Sequence, residues 1–560
     1  MKAWPYKRTF LLLLAIWFIL NVIQALFMEI ISDEAYYGVY ARYLAWGYYD
    51  HPPMIALLIK ISSLIFKGNL GIRFMTVLLQ IGTILIIWKI IDIREPDSSR
   101  VVTFFIVASS ICLFQAYGIF TTPDPPLLFF TALFLYSYKI FLAQQKWPAI
   151  LLLSVSMAGL VYSKYQAFLV IGFVVLSNLN LLRNIKFWIA GILALVLLIP
   201  HIHWQFANGF PAMQYHLVDR SDNFRLKYFL EYIPNQLAVF NPLILGALVY
   251  VMIKYRPDGK FLRSLYFLII GFPGFFWLTS FRGHVEPHWT IACSIPMIIL
   301  LTQKSCENLQ LFRFTRRYIF PTVFLLLAMR IFLLTGIPLN TTLGFSGKKA
   351  KYKQIESVAG DLPVIFTGSF QRPSLYTFFT GKDATVISSV YSRQTQFDIL
   401  KLEEKFNNKP VFVCVGAPGR SKTYGDEYFK FDGFITDSLQ TVNRMKIKFN
   451  LDNNTLHQGD SISMPFTLQN TYGYEIDFNH RQFPVNLSIV FIRSREIFVQ
   501  PVSVAEPVSK IRGGMNLSLT LEGEIPELKD GEYKFGLCLN NLFGPALNSR
   551  FVRIKIGSDD

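Results

Sequence analysis

The reading of this chain turns on residues 33–53: Asp33-Glu-Ala-Tyr-Tyr-Gly-Val-Tyr-Ala-Arg-Tyr-Leu-Ala-Trp-Gly-Tyr-Tyr-Asp-His-Pro-Pro53. Two adjacent carboxylates follow the first long apolar run, and a dense aromatic stretch follows them. Tyr36, Tyr40 and Tyr43 recur at helical spacing, as do Tyr37, Ala41 and Leu44, which predicts an amphipathic helix over Glu34–Trp46. A second predicted helix, Pro53–Phe66, is apolar but too short to span a bilayer, and Gly68-Asn-Leu-Gly71 interrupts it. Both are expected to lie at a membrane surface. The plainer reading of the same tyrosines is an interfacial aromatic belt.

Working outward, the chain is 560 residues long, 52% hydrophobic, 16% aromatic and 16% charged. The mean hydropathy of +0.37 conceals two halves, because the apolar residues concentrate before about residue 338. A span needs ~20 mainly apolar residues. Eleven stretches qualify approximately: 10–28, 70–91, 101–120, 126–143, 148–163, 165–182, 187–204, 236–253, 262–280, 289–303 and 318–336. No cleavage-type small-residue site follows the first, so it is read as a span and not as a signal peptide.

Basic residues set the expected orientation. Lys7/Arg8, Lys89/Arg94/Arg100, Lys139/Lys146, Arg183/Lys186, Lys254/Arg256/Lys260/Arg263 and Arg313/Arg316/Arg317 all fall in alternate connections. The positive-inside rule makes these cytoplasmic. The N-terminus is then inside, and Asp33 and everything after residue 338 are outside. The net charge of +17 is accounted for by this bias and by acidic lipid headgroups, so no nucleic-acid partner is expected. Cysteine spacing suggests neither a metal site nor a disulfide.

Beyond Pro338 the pattern changes. Residues 339–440 read as a small α/β unit, with helices at Lys348–Val358 and Leu400–Phe406 and strands at Pro363–Thr367 and Pro410–Val415. Residues 441–560 carry about seven alternating strands, such as Leu487/Ile489/Phe491 and Tyr533/Phe535/Leu537, which predict an immunoglobulin-like β-sandwich.

Ionisable groups near hydrocarbon are costly and are functional candidates by default. Those on the predicted outer face are Asp33, Glu34, Arg42, Asp50, His51, Asp124, Lys164, His201, His203, His216, Arg220, Arg225, Arg282, His284, Glu286 and His288. Carboxylates serve to deprotonate a hydroxyl, and cations to stabilise a departing phosphate. Bland readings stand beside these. Ser32 and Asp33 are suited to capping a helix, and Arg42 to snorkelling to headgroups. Lys164, in Ser163-Lys-Tyr165, reads equally as a turn lysine reaching water or as a phosphate ligand. His201 and His203 read as interfacial. Glu286-Pro-His288 reads as a buried polar turn, with a divalent metal site as the sharper alternative.

The ordered set Asp33-Glu34, Gly47-Tyr-Tyr-Asp-His-Pro-Pro53, Thr122-Pro-Asp124, Ser163-Lys-Tyr165 and Glu286-Pro-His-Trp289 resembles the GT-C glycosyltransferases. More narrowly, it is similar to the bacterial branch of the protein mannosyltransferase-like family, which includes the aminoarabinose lipid A transferases. The resemblance covers residues 1–338. It implies a polytopic helical membrane protein that moves a sugar from a polyprenyl-phosphate donor to a lipid, protein or glycan acceptor. It further implies Asp33 as base with Glu34 beside it, Asp124 as a supporting acid, and Tyr37 and Lys164 as carrier contacts. Arg220 and Arg282 are added as candidate phosphate clamps. The family's aminoarabinose enzymes have Glu-Lys-Pro where this chain has Asp50-His51-Pro52, so the role and acceptor tied to position 51 do not transfer. No cofactor is required by this reading beyond a possible divalent metal. The expected setting is the bacterial inner membrane, with the tail periplasmic. A lipid-linked sugar flippase or a silent glycan-binding membrane protein are the alternatives, set back by polar groups gathered at one face and by eleven predicted spans.

Overall fold

The computed structural model describes residues 4–93, 95–216, 225–335, 347–451, 453–494 and 496–557. The chain divides into two compact units, Met1–Gly347 and Lys348–Asp560.

The first unit is helical. In chain order it contains α1 (Trp4–Phe27), α2 (Ser32–Arg42), α3 (Met54–Ile65), α4 (Gly68–Ile91), α5 (Ser98–Ser109), α6 (Cys112–Ala116), α7 (Asp124–Ala143), α8 (Trp147–Ser163) and α9 (Ala167–Ser177). After these come α10 (Ile185–Ala207), α11 (Pro211–Gln214), α12 (Leu226–Phe240), α13 (Pro242–Lys254), α14 (Gly259–Thr279), α15 (Ser294–Glu307), α16 (Leu309–Phe314) and α17 (Phe320–Leu334). Six helical stretches are long and apolar enough to cross a membrane: α1, α4, α7, α10, α14 and the continuous run Leu309–Leu334. The bent pair α12–α13 makes a seventh if it counts as one span. The chain is a multi-pass membrane protein.

Each of the eleven predicted apolar stretches is helical, but several are short or broken, for identifiable reasons. The stretch 101–120 breaks at Ser110–Ile111, between α5 and α6. The stretch 236–253 bends by 96° at Asn241, which has a φ of 71° and precedes Pro242. These two breaks serve each other. Asn241 Nδ2 donates to the Ser110 carbonyl at 3.1 Å, while its Oδ1 accepts the Leu243 N–H at 3.0 Å. Backbone groups released inside an apolar bundle must find partners in protein, and here one asparagine supplies them.

The aromatic stretch forms α2 and the short apolar run forms α3, each near its predicted position. Pro125 and Pro126 open α7, where the first-turn N–H groups need no helical partner.

In the second unit a five-stranded sheet has the order Ala384–Ile387, Val364–Thr367, Val411–Val413, Lys430–Thr436, Lys422–Gly425. Its first three strands are parallel, with Val364 opposite Ala384 and Phe412, and the rest antiparallel. The helix Gln371–Thr380 and the strand Ala384–Ile387 were not read from sequence. The predicted helix over Leu400–Phe406 is instead Gln396–Leu400 followed by a 3₁₀ turn.

The following residues form a β-sandwich. One sheet is built on Asn486–Arg493, Gly531–Asn541 and Val552–Gly557, the other on Ser461–Gln469 and Asn516–Glu524. Alternate residues Ile462, Met464, Phe466 and Leu468 turn inward onto Ile489, Phe491, Phe535 and Leu537.

Near Asn407, whose amide donates to Thr441 Oγ1 at 2.9 Å, lies the buried carboxyl of Glu403. Burial, with Asp398 adding repulsion, pushes it up to about 7. A raised carboxyl favours the folded state while it is protonated and withdraws that support as pH climbs from the unfolded value toward the folded one. The second unit is therefore expected to melt higher at roughly pH 5 than at roughly pH 8. Glu403→Gln should flatten that slope in calorimetry of the full-length protein; an unchanged slope would place the titration elsewhere.

Candidate active site

The Asp33-Glu34 pair sits in the first turn of α2, where the helix dipole favours negative charge. The two carboxylates part at once. Asp33 is exposed and Glu34 is fully buried. Glu34 Oε2 accepts the Ile31 N–H at 3.1 Å, so the capping role that the sequence offers to Ser32 and Asp33 belongs to Glu34. Its two oxygens also receive Arg73 Nε at 2.7 Å and Nη2 at 2.5 Å, and Oε1 accepts the Thr121 N–H at 2.9 Å.

Arg73, on α4, was missed in the sequence. Besides Glu34 it donates to the carbonyls of Met28 at 2.6 Å, Glu29 at 3.1 Å and Ala25 at 3.3 Å. The signal was an arginine six residues into an apolar span.

The connection before α7 brings in the next acid. Asp124 is buried and accepts Lys164 Nζ at 2.7 Å and Thr122 Oγ1 at 3.3 Å. Lys164 lies at the break after α8 and is buried, so of its two readings the water-reaching turn lysine is excluded. The other charges acting on Asp124 are His288 and His51.

Tyr37 draws the set together. Burial and the facing carboxylates of Asp33, Asp50 and Asp124 hold its phenol well above the ordinary range. It therefore stays protonated at neutral pH, as a hydroxyl able to donate. The edge of His51 meets its ring at 5.6 Å. Tyr117 likewise lies in the field of Asp124, Asp33 and Glu286. Acids from three separated loops thus converge on two tyrosines.

The loop after α2 is fixed by aromatic packing. Tyr40 and Tyr48 stack at 4.1 Å, and Tyr40 donates its hydroxyl to Asp50 Oδ1 at 2.5 Å. A Cβ at Gly47 would lie 2.3 Å from the Trp204 ring, so glycine lets the loop press against α10. His201 is buried, its Nδ1 at 2.6 Å from the Trp46 carbonyl and its Nε2 at 3.3 Å from Tyr165 Oη. It is a packing histidine, whereas His203 is exposed. His216 Nε2 lies 3.1 Å from the Asp50 carbonyl.

The remaining candidates divide. Arg42 is exposed at the end of α2, over the Tyr43 ring at 5.9 Å. Arg225 is exposed and sits over Tyr228. Arg220 lies outside the described residues, and Arg282 closes a 3₁₀ turn. His284 Nε2 is 3.6 Å from Glu286 Oε2. Among the described residues no three His, Cys, Asp or Glu side chains are placed to hold a metal, so no step is routed through one.

Residues 50–204, which include Asp50, Asp124 and Lys164 but not Asp33, match the family model for dolichyl-phosphate-mannose-protein mannosyltransferase. Two solved structures of ArnT from Cupriavidus metallidurans, one apo and one bound to undecaprenyl phosphate, share this architecture. Each gives a TM-score of 0.57 at 12% identity, covering 76% of this chain and 97% of the other. The fold is GT-C. No curated protein matches the chain by sequence.

Removing Arg73 would leave Glu34 charged and buried, a change that typically costs ~3–5 kcal/mol. Arg73→Met is expected to lower the melting temperature of the detergent-solubilised protein sharply. Pairing it with Glu34→Gln should recover part of the loss. Strictly additive effects would show that the two groups do not act as a pair.

Proposed function

We propose that the chain is an inverting glycosyltransferase that uses a polyprenyl-phosphate-linked sugar and a hydroxyl acceptor on a lipid, protein or glycan. The observation that carries this is the division of labour among the convergent acids. Glu34 is saturated by Arg73 and two backbone N–H groups, Asp124 holds Lys164, and Asp50 takes the Tyr40 hydroxyl. Asp33 alone of the four is exposed. A proton acceptor must be reachable by the acceptor hydroxyl, and Asp33 meets that requirement.

In the proposed step the Asp33 carboxylate takes the hydroxyl proton as the oxygen attacks the anomeric carbon. The bond from that carbon to the phosphate oxygen breaks, and its electron pair leaves on the polyprenyl phosphate. Configuration inverts. Tyr37, kept protonated, and Lys164, with two N–H groups beyond the one given to Asp124, supply donors for the growing phosphate charge. His51 and His288 stand beside Asp124 on that side. Glu34, grouped from sequence with Asp33 and Asp124 among the candidate catalytic acids, is assigned an anchoring role. The undecaprenyl phosphate bound by the ArnT structure supports a prenyl-phosphate donor here. The basic connections support a cytoplasmic N-terminus and a site and tail on the periplasmic side of a bacterial inner membrane.

The test is turnover of a radiolabelled polyprenyl-phosphate sugar by the purified protein, with membrane extract supplying acceptors. Asp33→Asn is expected to insert and accumulate normally while transfer falls by ~10²–10⁴. A variant retaining near-full transfer removes Asp33 as the base. Tyr37→Phe should lower kcat more than it raises the donor KM, since it deletes one donor to the growing phosphate charge; a rise in KM with kcat unchanged would confine Tyr37 to ground-state binding.

A further inference from the structure

Among the described residues three lysine or arginine side chains are buried: Arg73, Lys164 and Arg330. The first two each bind a carboxylate, Glu34 and Asp124. The third does not. Arg330, on α17, donates Nε to Gln24 Oε1 at 2.6 Å, Nη2 to Asn21 Oδ1 at 2.8 Å and Nη1 to Gln115 Oε1 at 3.3 Å. All three acceptors are neutral amides, so the positive charge is solvated but not balanced. In a bilayer an ionised side chain is paired or faces a polar cavity, and an unbalanced guanidinium calls for an anion.

The donors left over are arranged to receive one. A guanidinium carries five N–H groups, and with three engaged each terminal nitrogen of Arg330 keeps one. Gln24, only 1% exposed, gives its oxygen to Arg330, and its Nε2 contacts only the Met28 sulfur at 3.9 Å. A buried amide nitrogen with no oxygen partner, next to a half-used guanidinium fork, is a second and independent sign of a missing acceptor. The fork geometry matches two oxygens of a phosphate.

The surroundings indicate where that phosphate comes from. Arg330 keeps 8% of its surface open, and the flanking residues of α1 and α17 are exposed and apolar: Ile23, Leu26, Phe27, Met329 and Phe332. Arg330 and Gln24 both lie about one turn before the ends of their helices, at Leu334 and Phe27. We infer that the seam between α1 and α17 binds the phosphate of an anionic membrane lipid, with Arg330 and the Gln24 amide as its donors. Arg330 and Gln24 are not among the residues assigned to sugar transfer, and the inference does not rest on the glycosyltransferase reading.

Native mass spectrometry of the full chain in mild detergent tests it, with phosphatidylglycerol, phosphatidylethanolamine and inorganic phosphate as probes. One retained phosphatidylglycerol is expected, with roughly tenfold weaker retention of the zwitterionic lipid and no displacement by millimolar inorganic phosphate. Arg330→Met should abolish retention. Since that variant is at risk of misfolding, Gln24→Glu provides the sharper test. It places a carboxylate on Arg330 from within the protein, so the fold should hold or gain stability while the lipid is lost. Equal retention of the two lipids, undiminished retention by well-folded Gln24→Glu, or full displacement by inorganic phosphate would each overturn the assignment.

Discussion

The ion pair between Glu34 and Arg73 is the constraint on which the membrane unit's site depends. It joins three pieces of chain that are remote in sequence: the passage from the end of α1 into the first turn of α2, the N-terminal part of α4 and the Thr121 backbone before α7. Both side chains are fully buried. Removing two charges from water costs several kcal/mol per ion, and the attraction between them repays this only when the other lone pairs and protons are also bonded. Here they are, by backbone groups that would otherwise be unsatisfied at a helix end and in a turn. The pair therefore contributes position more than stability: it fixes where α2 begins, and so where Asp33 points its backbone.

A second pair repeats the logic one layer away. Lys164 interrupts an apolar run between α8 and α9, and its ammonium sits on Asp124 at the start of α7. Lys164 thereby ties a break between two helices to the mouth of a third. The bundle uses breaks in the same way at Ser110 and Asn241, where one side chain closes both. Short and bent helices here are not defects of a span. They are the places where polar backbone is exposed to side chains, and the site is assembled from them.

How much of this was legible follows from what sequence signals measure. Apolar stretches, the α2 and α3 helices and the alternating strands of the sandwich were readable, because periodicity and hydropathy report burial directly. The breaks were not, since a window of hydropathy averages over a single Asn241 or Ser110. The convergence of Asp33, Asp50 and Asp124 was anticipated from their shared predicted face. The difference between Asp33 and Glu34 was invisible, because neighbours on a helix point about 100° apart and only packing tells which one meets Arg73. Arg73 and Arg330 went unread because each is a single cation inside an otherwise apolar helical stretch, which a hydropathy average absorbs. Asn21, Gln24, Gln80 and Gln115 share that position and form the polar lining around Arg330 and Trp17.

Exposure separates Asp33 from the other acids of the site. Glu34 accepts the Arg73 guanidinium and two backbone N–H groups, and Asp124 accepts the Lys164 ammonium. Tyr37, pressed by three carboxylates, remains protonated and faces them with a donor. In the proposed reaction proton acceptance falls to the exposed Asp33 and phosphate stabilisation to Tyr37 and Lys164, while Glu34 and Asp124 are tied to cations of the helices around them.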